Sequence, residues 1–268
     1  MSRVFALLFL IVGCCNIVSI QAQLIKTLDR DRYLAKVKLV DEFFCRFNGQ
    51  ESRQDVNAQY KDRESSILLL FDLAKFKSKS DSGFVKAMTF AKDVVEDSVF
   101  INYEDGKWFA KVKCAAILNK KPTEFITFLT VENVRDSVYK WVISNVDGDI
   151  FKTSRDNPHE ELYISPNSHE LFFSSLRNVT KDAYEFIDDY TRKSFKTDKL
   201  SVFTTLVRSG QLKIDAVSDL DFVFTQVPGY IFTIRHFERE TKNAGWLIDT
   251  LRVVSEEEKN NLKKEILR

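Results

Sequence analysis

Apolar residues recur at two different periods along this chain, and the switch between them sets the expected elements. Asp29 to Phe47 carries Leu34, Val37, Val40 or Asp41, Phe44 and Phe47 at three- and four-residue steps, which predicts an amphipathic helix. Asn48-Gly49 ends it, as Gly past a helix end commonly does. Ser65 to Phe76 predicts a second helix, buried along Ile67–Phe71, with Asp72 on its least buried side. Ser82 to Val95 predicts a third, with Phe84, Ala87, Met88, Ala91 and Val95 on one side. After Asp97 the period falls to two. Val99, Ile101 and Tyr103 alternate, Glu104-Asp105-Gly106 turns the chain, and the even positions from Trp108 to Leu118 form one buried face. Phe125–Val131 and Tyr139–Ile143 follow as strands, closed by Asp147-Gly148. Connections this short imply an antiparallel meander of four strands.

The order then recurs. Thr153 to Asn167 holds two of the four prolines and reads as a linker. Helices are expected at Ser168–Leu176, Thr180–Arg192 and, capped by Asp198, Lys199–Ser209. Strands are expected at Leu212–Val217, Leu220–Val227, Tyr230–Glu238 and Trp246–Val254, with Pro228-Gly229 as a tight turn, and Glu256–Leu267 closes the chain as a charged helix. The expected class is α+β, with helices packed on curved antiparallel four-stranded meanders. The repeated order fits either two similar modules or an ordinary α+β arrangement. The expected division is a signal peptide at 1–22, an N-terminal unit at 23–152, the linker at 153–167 and a C-terminal unit at 168–268.

The N-terminus specifies an address. Arg3 precedes an apolar run from Val4 to Val12, and small and polar residues end the segment at Ala22-Gln23, the layout of a secretory signal. Cleavage after Ala22 makes the protein periplasmic or secreted. Ile11-Val12-Gly13-Cys14 also resembles a lipobox, which would lipidate Cys14 and give an outer-membrane lipoprotein. The exit Ile20–Gln23 resembles those of proteins exported by Bacteroides-type bacteria. Asp97-Ser98-Val99, Asp136-Ser137-Val138 and Asp249-Thr250-Leu251 resemble the O-glycosylation acceptors of such bacteria. Asn178-Val179-Thr180 has the N-glycosylation pattern. No segment is apolar over the roughly 20 residues that a membrane helix needs.

Composition narrows the function. Phe is abundant at 23 while Gly (8) and Pro (4) are scarce, which favours long elements around an aromatic core. A net charge of +1 without basic clusters argues against nucleic-acid binding. After signal removal Cys45 and Cys114 remain, as one disulfide or two free thiols.

Helices on one face of a strongly curved sheet whose last strand opens on Trp141-Val142-Ile143 resemble the NTF2-like or cystatin-like class, best over residues 30–147. The resemblance implies a cone that is either a ligand pocket or plain core. The class serves isomerases, dehydratases and binding modules alike.

Candidate pocket residues are Asp72, His236, Trp108, Trp141 and Trp246. Asp188-Asp189 point in different directions on a helix. His159-Glu160-Glu161 and His169-Glu170 are the only metal-like grouping, without HExxH, and no metal or cofactor is expected. GxSxG and glycine-rich phosphate loops are absent. The expected role is non-catalytic binding of a small ligand or protein, and the exposed tryptophans suit stacking on sugars. One alternative is an isomerase, dehydratase or hydrolase using Asp72 or His236 as base. The other is a surface lipoprotein anchored at Cys14.

Overall fold

The computed structural model describes residues 39–50, 63–136, 138–152, 163–164, 176–181, 184–192, 194–195, 197–241 and 243–266. The expected signal segment with Cys14, most of the expected linker, nearly all of Ser168–Leu176, and His159 and His169 lie outside the described residues. The class is α+β, built on one open antiparallel sheet. Its strands are β1 (Trp108–Leu118), β2 (Lys121–Arg135), β3 (Val138–Asp147), β4 (Leu212–Phe224), β5 (Tyr230–Phe237) and β6 (Gly245–Val253), in the order β3-β2-β1-β4-β5-β6. Asn119 and Lys120 both take positive φ, 49° and 68°, and form the two-residue turn joining β1 to β2.

Two four-stranded meanders were expected; each half instead contributes three strands to a shared sheet. Val99–Tyr103 makes no strand, and of its expected inward positions Ile101 is buried, Val99 half-buried and Tyr103 exposed. The Asn48 side chain donates to Ile101 O (2.8 Å) and accepts from Ile101 N (3.0 Å). Gln226 does the same for Asn102, at 2.7 and 2.6 Å. Two side-chain amides thus take the backbone groups that a neighbouring strand would have used. Leu212–Val217 and Leu220–Val227 are mostly one strand, β4, which runs along the whole of β1 from Trp108↔Phe224 to Leu118↔Leu212. Asp215 and Ser218 are the extra residues of two bulges in that pairing.

The sheet is strongly bent. Trp141 on β3 and Phe222 on β4 lie three strand spacings apart, roughly 14 Å in a flat sheet, yet their ring centroids are 6.0 Å apart. The concave face carries the even positions of β1 and their partners on β4, which are even except where the bulges put Val217 opposite Cys114. At one end it is covered by α1 (Val40–Phe47), α2 (Arg63–Leu68) and α3 (Ser82–Glu96), which bury Phe43, Phe47, Phe90 and Phe71 against Phe224, Phe232 and Ile248. A short helix, α4 (Leu176–Lys181), is followed by a 3-10 stretch, Tyr184–Tyr190, where a regular helix over Thr180–Arg192 was expected. At the other end of the concave face α5 (Lys199–Arg208), capped by Asp198, buries Phe203 against Phe125 and Phe151. On the convex face α6 (Glu256–Ile266) covers Phe109, Val223 and Ile231 with Leu262 and Ile266. Ser255 and Glu258 bond reciprocally at its start as a capping box.

Two helices differ from expectation. The buried stripe of α3 includes Phe90 and Val94, while Met88 is exposed, because the Phe90 ring sits among Phe47, Phe71, Tyr230 and Phe232. The helix expected over Ser65–Phe76 stops at Leu68. Beyond it Leu70–Asp72 runs beside β6: Ile248 N donates to Leu70 O and Asp72 N to Ile248 O. Asn243 holds the same stretch, donating to Leu69 O and Phe71 O and accepting from Leu73 N.

Candidate functional site

Rings cross the concave face as a continuous ladder. Tyr103 meets Trp108 at 5.0 Å between centroids, Trp108 meets Trp141 at 4.9 Å, and Trp141 meets Phe222 at 6.0 Å. Phe222 then meets Trp246 at 5.0 Å, and Trp246 meets His236 at 5.3 Å. The last pair is fixed by register, since His236 and Trp246 are direct partners across β5 and β6 and share a face. Burial alternates along the ladder. Trp108 and Phe222 are buried, Trp141 and Trp246 are half-buried, and the end members Tyr103 and His236 are exposed. Trp108 is the fixed post: its indole N–H donates to Tyr103 O at 2.9 Å. Half-buried Val112, Leu129, Val131 and Leu220 flank the rings on the same core cluster.

The structure thus brings together four of the five expected pocket residues, Trp108, Trp141, Trp246 and His236. Phe222 and Tyr103, which complete the ladder, are absent from the sequence-based candidates. Strand alternation marks Phe222 as buried but not as the ring between two tryptophans on outer strands, a contact made by the bend.

Asp72 takes a different place. It is 2% exposed, the opposite of the solvated position expected. It caps the 3-10 turn Leu73–Lys75 by accepting from Ala74 N, and it accepts both arms of Arg239 at 2.7 and 3.0 Å. The Arg239 guanidinium lies 4.5 Å over the Phe237 ring. Both carboxylate oxygens are therefore engaged by one cation, an arrangement that anchors the chain.

The remaining candidates are dispersed. Cys45 is exposed on α1 and Cys114 is buried in β1, 3.6 Å from Thr127 Oγ1, and both are free thiols. Asp188 and Asp189 lie in the 3-10 stretch. Among the described residues no three His, Cys, Asp or Glu side chains gather as metal ligands. Also among them, no helix is long and apolar enough to cross a membrane.

Two polar contacts frame β5. Tyr230 donates its phenol proton to Asp93 on α3. Burial, then that bond, pushes the phenol up to about 12. On the convex face Arg235 grips Asp221 in bidentate fashion at 2.7 and 2.9 Å, with Asp219 at 3.4 Å, which raises the guanidinium above its ordinary range. Comparison with known proteins finds no matching family model, no matching curated relative and no matching solved structure.

Proposed function

We propose that this chain is an exported, non-catalytic binding protein of NTF2-like build whose concave sheet face receives a ligand or partner at Trp141 and Trp246. The observation that carries this reading is the pair of half-buried indoles standing on either side of buried Phe222. Aromatic rings held by a rigid sheet offer contact area at little conformational cost. The flanking aliphatic side chains make the ladder suited to a flat apolar surface, and His236 supplies a polar contact at its exposed end. The engagement of Asp72 by Arg239 supports binding over acid–base chemistry. The charged start, short apolar run and small-residue exit of residues 1–23 support export.

The test uses 1-anilinonaphthalene-8-sulfonate, a flat aromatic probe. The folded protein is expected to bind it saturably, with energy transfer from tryptophan. The double variant Trp141→Ala, Trp246→Ala, folded by circular dichroism, is expected to lose most of that signal. Absence of binding by the wild type, or undiminished binding by the variant, refutes the reading. Mass spectrometry of the exported protein tests the address: a mature chain starting at Gln23 supports secretion, and a lipidated Cys14 replaces it with surface anchoring.

A further inference from the structure

The aromatic ladder ends in a ring unlike the others. His236 is exposed, and its imidazole meets the Trp246 indole in a T-shaped contact, 5.3 Å between centroids at 68°. Register holds the two together, since they are direct partners across β5 and β6. On the other side, β4 pairs with β5 only as far as Asp221↔Arg235, one position short of His236. Among the described residues the imidazole makes no hydrogen bond and no ion pair, so both ring nitrogens are uncommitted.

The charges nearby are already taken or stand apart. On this face β6 presents Trp246 and Ile248 and β4 presents Leu220 and Phe222, none of which titrates. Arg235, Asp219 and Asp221 pair with one another on the opposite face. Arg239 is engaged by Asp72. Glu238 and Glu240, exposed just past β5, bond to neither ring nitrogen. Histidine is the side chain that ordinarily changes charge between pH 5 and 8. A protonated imidazole donates from both nitrogens and forms charge-assisted bonds to anions.

We propose that His236 sets the charge preference of the ladder: once protonated it holds an anionic group on the rim of a flat ligand lying on Trp246, and the preference fades as pH rises. The ligand class is a planar apolar molecule with a carboxylate or sulfonate at one edge. This rests on the ladder being the binding face and adds to it a residue that chooses among ligands.

Two probes share one aromatic frame: 1-anilinonaphthalene-8-sulfonate is anionic, and N-phenyl-1-naphthylamine lacks the sulfonate. Each is titrated into the intact chain at pH 8 and pH 5.5. The wild type is expected to bind the anionic probe about threefold more tightly at pH 5.5 and the neutral probe equally at both. His236→Gln keeps a polar side chain at an exposed position, and it is expected to bind the anionic probe equally at the two pH values. His236→Lys is charged at both, and at pH 8 it is expected to hold that probe about threefold more tightly than His236→Gln. Loss of the neutral probe in Trp141→Ala, Trp246→Ala shows that the ladder is in use. If both probes bind through the indoles and the anionic one keeps a single affinity across pH, the proposal is overturned and the ladder stands. The same holds if His236→Gln retains the wild-type pH dependence. If neither probe binds the wild type, or the double tryptophan variant binds both undiminished, the ladder reading fails and the proposal falls with it.

Discussion

Tyr230 and Asp93 join β5 to α3 through one hydrogen bond, and the burial of the phenol, together with that bond, gives the fold an alkaline limit. The folded state holds the phenol proton up to a pH of about 12, above the ordinary value of 10.0. The unfolded chain releases its proton first, so this contribution is complete below pH 10 and is lost as pH climbs from 10 toward 12. Urea unfolding at pH 8 and pH 11 reads the effect. Tyr230→Phe is expected to cost about 1 kcal/mol at pH 8 and to show a shallower loss of stability between the two pH values than the wild type. Equal slopes for both proteins would remove Tyr230 as the cause. Asp72 makes a different point at the same scale. A carboxylate within an apolar run looked like a boundary residue facing water, and it is instead a buried partner of Arg239, because a guanidinium far along the chain supplies the compensating charge.

Among the elements, the stretch after α2 depends most on a single distant side chain. Asn243 is 6% exposed and serves three backbone groups of Leu69, Phe71 and Leu73, holding that stretch beside β6. Asn243→Ala leaves those groups buried without a partner and is expected to destabilise the protein by about 3 kcal/mol. The urea midpoint should fall with little change in slope. A loss under about 1 kcal/mol would show that the β6 bridge at Ile248 holds the stretch unaided. This dependence also explains which elements were legible. α3, α5, α6 and the cores of β1, β2, β3, β5 and β6 follow from local periodicity, since their side chains sort by face within one element. The placement of Trp108, Trp141 and Trp246 on one surface follows from the same alternation. The break after Leu68 and the missing strand at Val99–Tyr103 do not, because Asn243, Asn48 and Gln226 act across the fold and carry no mark in the local pattern. Phe222 escaped notice for a related reason. Its contacts with Trp141 on β3 and Trp246 on β6 are made by the bend of the sheet and leave no mark in the pattern of β4 itself.

At the scale of the molecule, the two halves of the chain meet along β1 and β4 and share one concave core, with Trp108 and Phe224 stacked at 5.3 Å across the seam. The sheet treats its margins unequally. Beside β6 runs the Leu70–Asp72 segment. β4 outruns β5, which pairs only with Asp221–Phe224, so Leu212–Leu220 has no strand on that side among the described residues. Ile214 and Val217 are exposed there, at 47% and 60%. A straight margin of this kind invites a second molecule to zip onto it. The extra residues Asp215 and Ser218 interrupt its backbone rhythm while leaving every β1 pairing in step, because Val217 already faces Cys114 and Ile214 already faces Ala116. Deleting both is therefore expected to preserve the monomer's fold and to produce concentration-dependent association in light scattering, whereas the wild type stays dispersed. Two surplus residues would then be what keeps a curved sheet from becoming the first rung of a fibre.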